Sequence, residues 1–237
     1  MKIYAFIFGR GGSKEVSGKN IREICGKPLL AYSIEQAREI NKIKKIFVST
    51  DDAKIASIAT KYGADVIDRP SEIAKDDSNE WLAWKHAIEW TQEQNYFFDT
   101  FLSLPTTAPL RNRLDIIRAL KKLDVQTDVV ITMTQAARNP WFNMVTSNKS
   151  GYIEIINKNK NIINRRQDAP LVYDLTTIAY VTRPEFILSH DSIFEGRVRA
   201  IEIPRERAVD IDSELDLEFA EFLIRRQYKK KGKNNVG

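Results

Sequence analysis

A loop rich in glycine and basic residues follows the first apolar segment of the chain, residues 3–8. It reads Gly9-Arg10-Gly11-Gly12-Ser13-Lys14 and, after two further residues, Ser17-Gly18-Lys19-Asn20. Its glycines allow backbone N–H groups to approach phosphate oxygens. Its cations, Arg10, Lys14 and Lys19, add positive charge at the carboxyl end of a strand, where α/β proteins bind ligands. The sequence therefore predicts a loop that binds the triphosphate of a nucleotide.

Two common phosphate-binding motifs do not fit this loop. The motif GxxxxGK[ST] ends in Gly-Lys-Ser or Gly-Lys-Thr, whereas the Gly-Lys pairs of this chain precede Asn20 and Pro28. The motif GxGxxG fails because its last position is Lys14. The alternative interpretation is a solvated surface turn, which the concentration of three cations after a first strand disfavours.

Two aspartates lie near the carboxyl end, in Val209-Asp210-Ile211-Asp212. In an extended segment, side chains two residues apart project to the same side, and neighbouring carboxylates repel each other unless a cation lies between them. Oxygen ligands that leave places for water and phosphate suit Mg²⁺. The alternative is that Asp212 or Ser213 caps the next helix and Asp210 is solvated. Loop and aspartates together match what phosphoryl or nucleotidyl transfer requires.

The elements around these residues alternate between strand and helix patterns. Strands are predicted at residues 3–8, 45–50, 65–68, 100–104, 128–134, 177–181 and 198–203, and helices at 28–41, 52–62, 79–94, 114–123 and 214–227. Asp52, Gly63 and the pair Ser213 and Asp216 are suited to cap helix ends. This order predicts an α/β fold with a doubly wound, mostly parallel sheet.

One domain, residues 1–228, is expected, with an insertion at about 136–175 and a basic tail at 229–237. The alternation of elements stops at about 135 and resumes after 172, which is too long for an ordinary connection. Insertions of this length carry a lid, a partner contact or disorder. Trp141 and Phe142, at its start, are candidates for a subunit contact.

Composition narrows the class of protein. The 237 residues include 37 basic and 32 acidic ones. Four of the basic residues are lysines of the tail, Lys229, Lys230, Lys231 and Lys233, so the rest of the chain is nearly neutral. A nucleic-acid partner is therefore not expected. The lone Cys25 excludes an intrachain disulfide and suits a reducing compartment. No apolar run reaches the length of a membrane span. We expect a cytoplasmic protein without a membrane partner.

Four motifs resemble those of the acylneuraminate cytidylyltransferases, the CMP-sialic acid synthetases and their relatives. They are GRGGSKxxxGKN after the first strand, PTTAPLR at 105–111, RRQDAP at 165–170 and VDIDSELDLEFAE at 209–221. The resemblance implies a Rossmann-like nucleotidyltransferase fold and a Mg²⁺-dependent reaction of CTP with a nonulosonic 2-keto sugar acid. It also implies a homodimer in which the insertion reaches the neighbouring active site.

The resemblance also assigns roles to residues. Together with the glycines of the loop, it predicts a nucleotide-binding set of nine residues: Arg10, Gly11, Gly12, Ser13, Lys14, Lys19, Asn20, Arg69 and Ser78. Asp210 and Asp212 hold the metal, and Lys19, Arg10 and Asp212 are the catalytic candidates, with Lys19 near the α-phosphate. The sugar-binding set is Pro105, Thr106, Arg165, Arg166 and Gln167. An arginine suits the sugar carboxylate because a guanidinium binds it bidentately, and Arg165 and Arg166 both remain candidates.

The identity of the sugar substrate is the least determined part of the predicted function. Enzymes for N-acetylneuraminate often read QPTSPLR, whereas this chain has Leu104 before the proline and Thr107-Ala108 after Thr106. We expect a deoxy, diamino sugar such as a legionaminic or pseudaminic acid. The alternatives are an enzyme for an eight-carbon keto sugar acid (CMP-Kdo type), a nonenzymatic nucleotide-binding module and, less favoured, a glycosyltransferase that uses Asp210-Ile211-Asp212.

Overall fold

The computed structural model describes residues 1–12, 16, 18–75, 78–157 and 163–234, without the side chains of 229–234. The strands are β1 (Ile3–Phe8), β2 (Glu23–Ile24), β3 (Lys27–Pro28), β4 (Ile43–Thr50), β5 (Asp65–Asp68), β6 (Thr100–Ser103), β7 (Val129–Gln135), β8 (Val145–Ser147), β9 (Ile153–Ile155), β10 (Tyr173–Thr182) and β11 (Val198–Glu202). The helices are α1 (Leu29–Arg38), α2 (Ala53–Lys61), α3 (Glu80–Glu93), α4 (Arg113–Lys122), α5 (Pro184–Ser189) and α6 (Glu214–Asn234).

Seven strands form the central sheet, in the order β11-β7-β10-β6-β1-β4-β5. β1 pairs in parallel with β4 and β6, β4 with β5, and β7 with β11. Only β10 among these seven is antiparallel to its neighbours, β6 and β7. The prediction of a doubly wound, mostly parallel sheet is confirmed. All the parallel strands end at one edge, and the loops that follow them meet there.

Alternate residues of β1 pack on opposite faces of the sheet. Ile3, Ala5 and Ile7 join an aliphatic core with residues of α1, α2 and α4. Tyr4 and Phe6 join an aromatic core with Trp81 and Trp84 of α3. Burial of each such large side chain contributes about 1.5–3 kcal/mol. Both faces of β1 are therefore covered, which explains why its sequence is apolar throughout rather than alternating.

The helix-capping predictions are confirmed. Asp52 accepts hydrogen bonds from the N–H groups of Lys54 and Ile55 and so caps α2. Gly63 has a φ of 85°, in the left-handed region that glycine favours. Before α6, the Ser213 N–H donates to Asp216 Oδ2 at 2.8 Å, and the Asp216 N–H donates to Ser213 Oγ at 3.3 Å. Ser213, rather than Asp212, therefore caps α6.

The insertion differs from the prediction in where it ends. β10 begins at Tyr173, not at residue 177, because Tyr173–Thr176 continues the antiparallel pairing with the last four residues of β7. The segment between β7 and β10 contains the β8–β9 hairpin. Within the described part of the chain, none of the helices combines the length and apolar character that a membrane crossing needs.

Candidate active site

A cavity of about 580 Å³ lies at the edge where the parallel strands end. Its walls come from Phe8 at the end of β1, the loop after β1, Arg69 after β5, the first turn of α3, residues 105–107 after β6, β10, and the segment before α6. Of the residues predicted from the sequence, it is lined by Arg10, Lys19, Asn20, Arg69, Ser78, Pro105, Thr106, Asp210 and Asp212. The basic loop and the two aspartates therefore share one cavity.

Lys19 connects the loop to the aspartate segment. Its Nζ donates to the carbonyl oxygen of Ile211 at 2.9 Å and to Oδ1 of Asp212 at 3.2 Å. Ile211 is fully buried in a third core cluster with Leu217 and Ala220 of α6. Since Ile211 points into that core, Asp210 and Asp212 project to the other side, into the cavity. The alternation expected of this segment places both carboxylates beside an ammonium group.

Asp210 carries a half-buried carboxylate whose pKa is subject to opposing effects. Burial raises its pKa, the hydroxyls of Thr107 and Thr177 lower it by hydrogen bonding, and the negative charge of Asp212 raises it. Its Oδ1 atom is buried and has no hydrogen-bond partner among the described residues. A buried carboxylate oxygen without a partner carries a desolvation cost, which a bound cation would remove.

Asn20 acts within the site as a link between two loops. Its Nδ2 donates to the carbonyl oxygen of Arg10 at 2.9 Å, and its Oδ1 accepts from the hydroxyl of Thr106 at 2.6 Å. Both Asn20 and Thr106 are buried. These contacts fix the loop after β1 against the loop after β6. The two side chains therefore hold the two loops of the site in position relative to each other.

A buried arginine holds the loop after β6 in place. Arg111 donates to the carbonyl oxygens of Ala108 at 3.0 Å and Ile178 at 2.7 Å, and also to that of Pro105. Burial lowers the pKa of this guanidinium, and the charge of Asp210 opposes that effect. The sequence motif PTTAPLR includes Arg111, but the motif does not reveal that its last residue anchors the segment carrying Thr106.

The loop glycines do not line the cavity. The Gly11 N–H donates to Oδ1 of Asp51 at 3.0 Å, and a Cβ atom at Gly11 would meet Asp52 Oδ2 at 2.9 Å. Gly11 is thus required by close packing against the loop after β4, which corrects the expectation that its N–H faces phosphate. Gly12 is exposed, with open space where a Cβ would lie. Ser13 and Lys14 lie outside the described residues.

Arg69 is buried at the base of the cavity. Its Nε donates to the hydroxyl of Ser49 at 3.0 Å and its Nη2 to the Ser49 carbonyl oxygen at 2.6 Å. The guanidinium lies 5.6 Å from the centre of the Phe8 ring. Burial lowers its pKa, while the charges of Asp51 and Glu80 raise it. Ser78 donates to the Glu72 carbonyl oxygen at 3.3 Å.

Three titratable residues of the cavity were missed by the sequence reasoning, namely Lys75, Glu80 and Tyr180. Glu80, the first residue of α3, is exposed, and its Oε1 accepts a hydrogen bond from the indole N–H of Trp84 at 3.2 Å. Tyr180 of β10 also lines the cavity, and burial together with the charges of Glu80 and Asp210 raises its pKa. Acidic residues are common in the first turn of a helix because the helix dipole favours negative charge there. Nothing in the sequence therefore marked Glu80 as a site residue.

The predicted sugar-binding residues of the insertion do not reach this cavity within one chain. Arg165 is paired with Asp168 at 2.8 Å, and Arg166 donates to the carbonyl oxygen of Ala136 at 3.1 Å. Arg166 and Gln167 line a separate cavity of about 390 Å³ formed by the insertion. Within one chain they therefore line a different cavity from Pro105 and Thr106, and the expectation that the insertion reaches a neighbouring active site stays a prediction.

Comparison with known proteins shows that the chain is similar to one family over nearly its whole length. The family described as Cytidylyltransferase matches residues 4–234. The CMP-N,N'-diacetyllegionaminic acid synthase of Campylobacter jejuni is 36% identical over 226 residues, which cover 94% of this chain and 95% of the relative. The post-translational flagellin modification protein B of Campylobacter coli is 36% identical over 231 residues, 95% of this chain and 96% of that protein. A pseudaminic acid cytidylyltransferase of Campylobacter jejuni is 32% identical over 226 residues, 95% and 97% of the two chains.

Solved structures show the same fold at low sequence identity. A CMP:2-keto-3-deoxy-manno-octonic acid synthetase complexed with CTP has a TM-score of 0.72 and 16% identity, and the match covers 96% of this chain and all of that one. A 4-diphosphocytidyl-2C-methyl-D-erythritol synthase from Anaerococcus prevotii has a TM-score of 0.65 and 14% identity, with coverage of 94% and 96%.

Proposed function

This chain belongs to the cytidylyltransferase family, and we propose that it joins CTP to a nonulosonic, sialic-acid-like 2-keto sugar acid. In that reaction the anomeric hydroxyl oxygen bonds to the α-phosphorus of CTP. The bond from the α-phosphorus to the oxygen that bridges to the β-phosphate breaks, pyrophosphate leaves, and the hydroxyl proton passes to solvent. The products are the CMP-sugar and pyrophosphate. Use of CTP is a reason to place the reaction in the cytoplasm.

The observation that carries the proposal is the meeting of Lys19 with Asp212 in one cavity, at 3.2 Å. Lys19 and Arg10 are the cations that would bind the phosphates, and we assign Lys19 to the α-phosphate. Positive charge that acts on a phosphoryl group in transfer lowers the barrier by stabilising the charge that develops.

We propose that Asp210 and Asp212 hold Mg²⁺ when CTP binds. The buried, unpartnered Oδ1 of Asp210 and the neighbouring carboxylate form an oxygen-only donor set, which fits this ion. Among the described residues no cluster of three or more His, Cys, Asp or Glu side chains is present, so phosphate and water oxygens would supply the other ligands. The ion would neutralise phosphate charge and lower the pKa of a coordinated hydroxyl.

The sugar that we propose is a diamino nonulosonic acid of the legionaminic or pseudaminic type. Leu104 does not support this choice, because its side chain is fully buried in the aliphatic core rather than in the cavity wall. The relatives support it instead. The legionaminic and pseudaminic acid enzymes of Campylobacter jejuni are 36% and 32% identical to this chain, whereas the N-acylneuraminate cytidylyltransferase of Escherichia coli and the legionaminic acid enzyme of Legionella pneumophila are each 28% identical.

We propose that the protein is a homodimer that pairs through the insertion. The β8–β9 hairpin and its flanks expose large apolar side chains, namely Val145 (56%), Tyr152 (74%), Ile153 (63%), Ile156 (47%) and Leu171 (63%). A cluster of this kind is typical of an interaction surface. Pairing there would bring Arg165, Arg166 and Gln167 towards the partner's cavity, which would give the sugar carboxylate an arginine partner.

A product assay tests the proposed function. The purified protein is incubated with CTP, Mg²⁺ and, in separate reactions, legionaminic acid, pseudaminic acid, N-acetylneuraminic acid and an eight-carbon keto sugar acid. We expect pyrophosphate release and a CMP-sugar by mass spectrometry, with kcat/KM highest for a diamino acid. A tenfold preference for N-acetylneuraminic acid would contradict the sugar assignment, and turnover of the eight-carbon acid alone would support the CMP-Kdo alternative.

A further inference from the structure

The carboxylate of Glu80 is an acidic group of the cavity that the proposed chemistry does not use. It belongs to α3, whereas the two aspartates belong to the segment before α6. The hydrogen bond from the indole N–H of Trp84 to its Oε1, 3.2 Å long, orients the carboxylate. Trp84 is 2% exposed and packed among aromatic side chains, so this donor is fixed. Glu80 itself is exposed and lines the cavity.

The charge of Glu80 limits which part of the substrates it can meet. A carboxylate accepts hydrogen bonds and donates none. It repels the phosphates of a nucleotide and the acid group of a keto sugar. Among the groups of the two substrates, its partner is therefore an uncharged one that carries an N–H or O–H.

The surroundings of Glu80 suit a planar base. Phe8, Ile73 and Ala83 line the same cavity with apolar surface, and the Arg69 guanidinium lies over the Phe8 ring. Apolar walls that include an aromatic ring, with a few fixed polar groups, are typical of sites that hold a heterocycle. Arg69 and Glu80 line this same cavity, so it offers both a hydrogen-bond donor and an acceptor.

We propose that Glu80 determines the choice of cytosine over uracil by accepting a hydrogen bond from the amino group at position 4 of the base. The inference rests on the proposed function, since it concerns the nucleotide of that reaction. Uracil carries a carbonyl oxygen at position 4. Against the carboxylate, that oxygen would leave two acceptors facing each other, which costs binding energy and rejects UTP.

The experiment compares wild type, Glu80→Gln and, as a matched control, Glu89→Gln on the exposed side of the same helix. kcat/KM is measured for CTP, UTP and 2'-deoxy-CTP with one sugar acid. A glutamine amide can donate as well as accept, so we expect the CTP-to-UTP ratio to fall about tenfold or more in Glu80→Gln. The control should keep the wild-type ratio, and the CTP-to-deoxy-CTP ratio should not change in either variant.

An unchanged CTP-to-UTP ratio in Glu80→Gln would overturn the proposal, and so would a change confined to deoxy-CTP, which would place the carboxylate at the ribose. A change confined to KM for the sugar acid would overturn it as well. Calorimetric affinities for CTP and UTP give the same comparison without turnover. If the wild type releases no pyrophosphate with any sugar acid, the proposed function fails while this binding comparison still decides the role of Glu80. Glu80→Asp, which shortens the reach of the carboxylate, replaces Glu80→Gln if that variant does not fold, and we expect the same loss of discrimination.

Discussion

The Nζ atom of Lys19 lies 3.2 Å from Oδ1 of Asp212, although 193 residues separate them along the chain. The contact joins the basic loop after β1 to the segment before α6. It places a cation beside the two carboxylates of that segment, at the edge where the parallel strands end. A nucleoside triphosphate bound there would meet the loop cations and the aspartates at the same time.

Replacement of Lys19 by alanine should reduce turnover more than it weakens substrate binding. If its ammonium acts on charge that develops in the transition state, kcat falls by at least about tenfold, and KM for CTP rises by a smaller factor. Lys54→Ala, which removes an exposed lysine from α2, is the matched control. Steady-state kinetics measure both constants. A Lys19→Ala enzyme with wild-type kcat would exclude this role.

The insertion should control the oligomeric state. Ile153→Asp places a charge in the exposed apolar cluster, and we expect a monomer where the wild type is a dimer, because a buried unpaired charge opposes association. Light scattering after size-exclusion chromatography measures the mass. Val125→Asp changes another exposed apolar residue, 86% exposed and outside the insertion, and should leave the mass unchanged. A dimer that survives Ile153→Asp would place the interface elsewhere.

The sequence predicted the sheet because its local patterns agree with the final structure. The pattern of β1 and the capping residues Asp52 and Ser213 depend on neighbours along the chain, and their bounds and contacts match the prediction. The role of Gly11 could not be predicted from the loop sequence, because its N–H bonds to Asp51, which the fold brings from another strand. Leu104 shows the same limit, since a side chain next to a site loop points into the core.

An ion pair behind the site should contribute strongly to stability. Arg207 donates from Nε and Nη2 to both carboxylate oxygens of Asp115, at 2.8 and 2.9 Å, and the Asp115 side chain is only 1% exposed. Arg207→Met keeps most of the apolar stem but leaves a buried carboxylate without its cation, so we expect a loss of about 3 kcal/mol in the free energy of unfolding. Urea denaturation measures it. Arg205→Met, an exposed neighbour, is the control, and an equal small loss in both variants would refute the prediction.

Low pH should lower the stability of the fold, in part through protonation of Asp128. Hydrogen bonds from the side chain and backbone N–H of Arg197 hold the pKa of this carboxyl well below its usual range. A lowered folded-state pKa gives stability that is present above the ordinary value, about 3.9, and is lost as the pH falls towards the folded value. Asp128→Asn should therefore be less stable than wild type at pH 7, and the difference should shrink below about pH 4.

Urea midpoints of wild type and Asp128→Asn at pH 7, 5, 4 and 3 measure this change. Glu39→Gln, which alters an exposed carboxylate immediately after α1, is the control for general charge effects. A difference between wild type and Asp128→Asn that stays constant over the whole series would show that the ion pair with Arg197 does not carry the effect.

In the proposed active site, the loop and the aspartates hold one CTP together through a divalent ion. Calorimetric titration of CTP, with and without Mg²⁺, into wild type and Asp212→Ala tests it. The Asp212 side chain is 62% exposed, so its loss should change the stability of the fold by no more than about 0.5 kcal/mol. We predict that Mg²⁺ strengthens CTP binding to the wild type at least about tenfold and leaves the variant nearly unchanged. Equal strengthening by Mg²⁺ in both proteins would contradict the account.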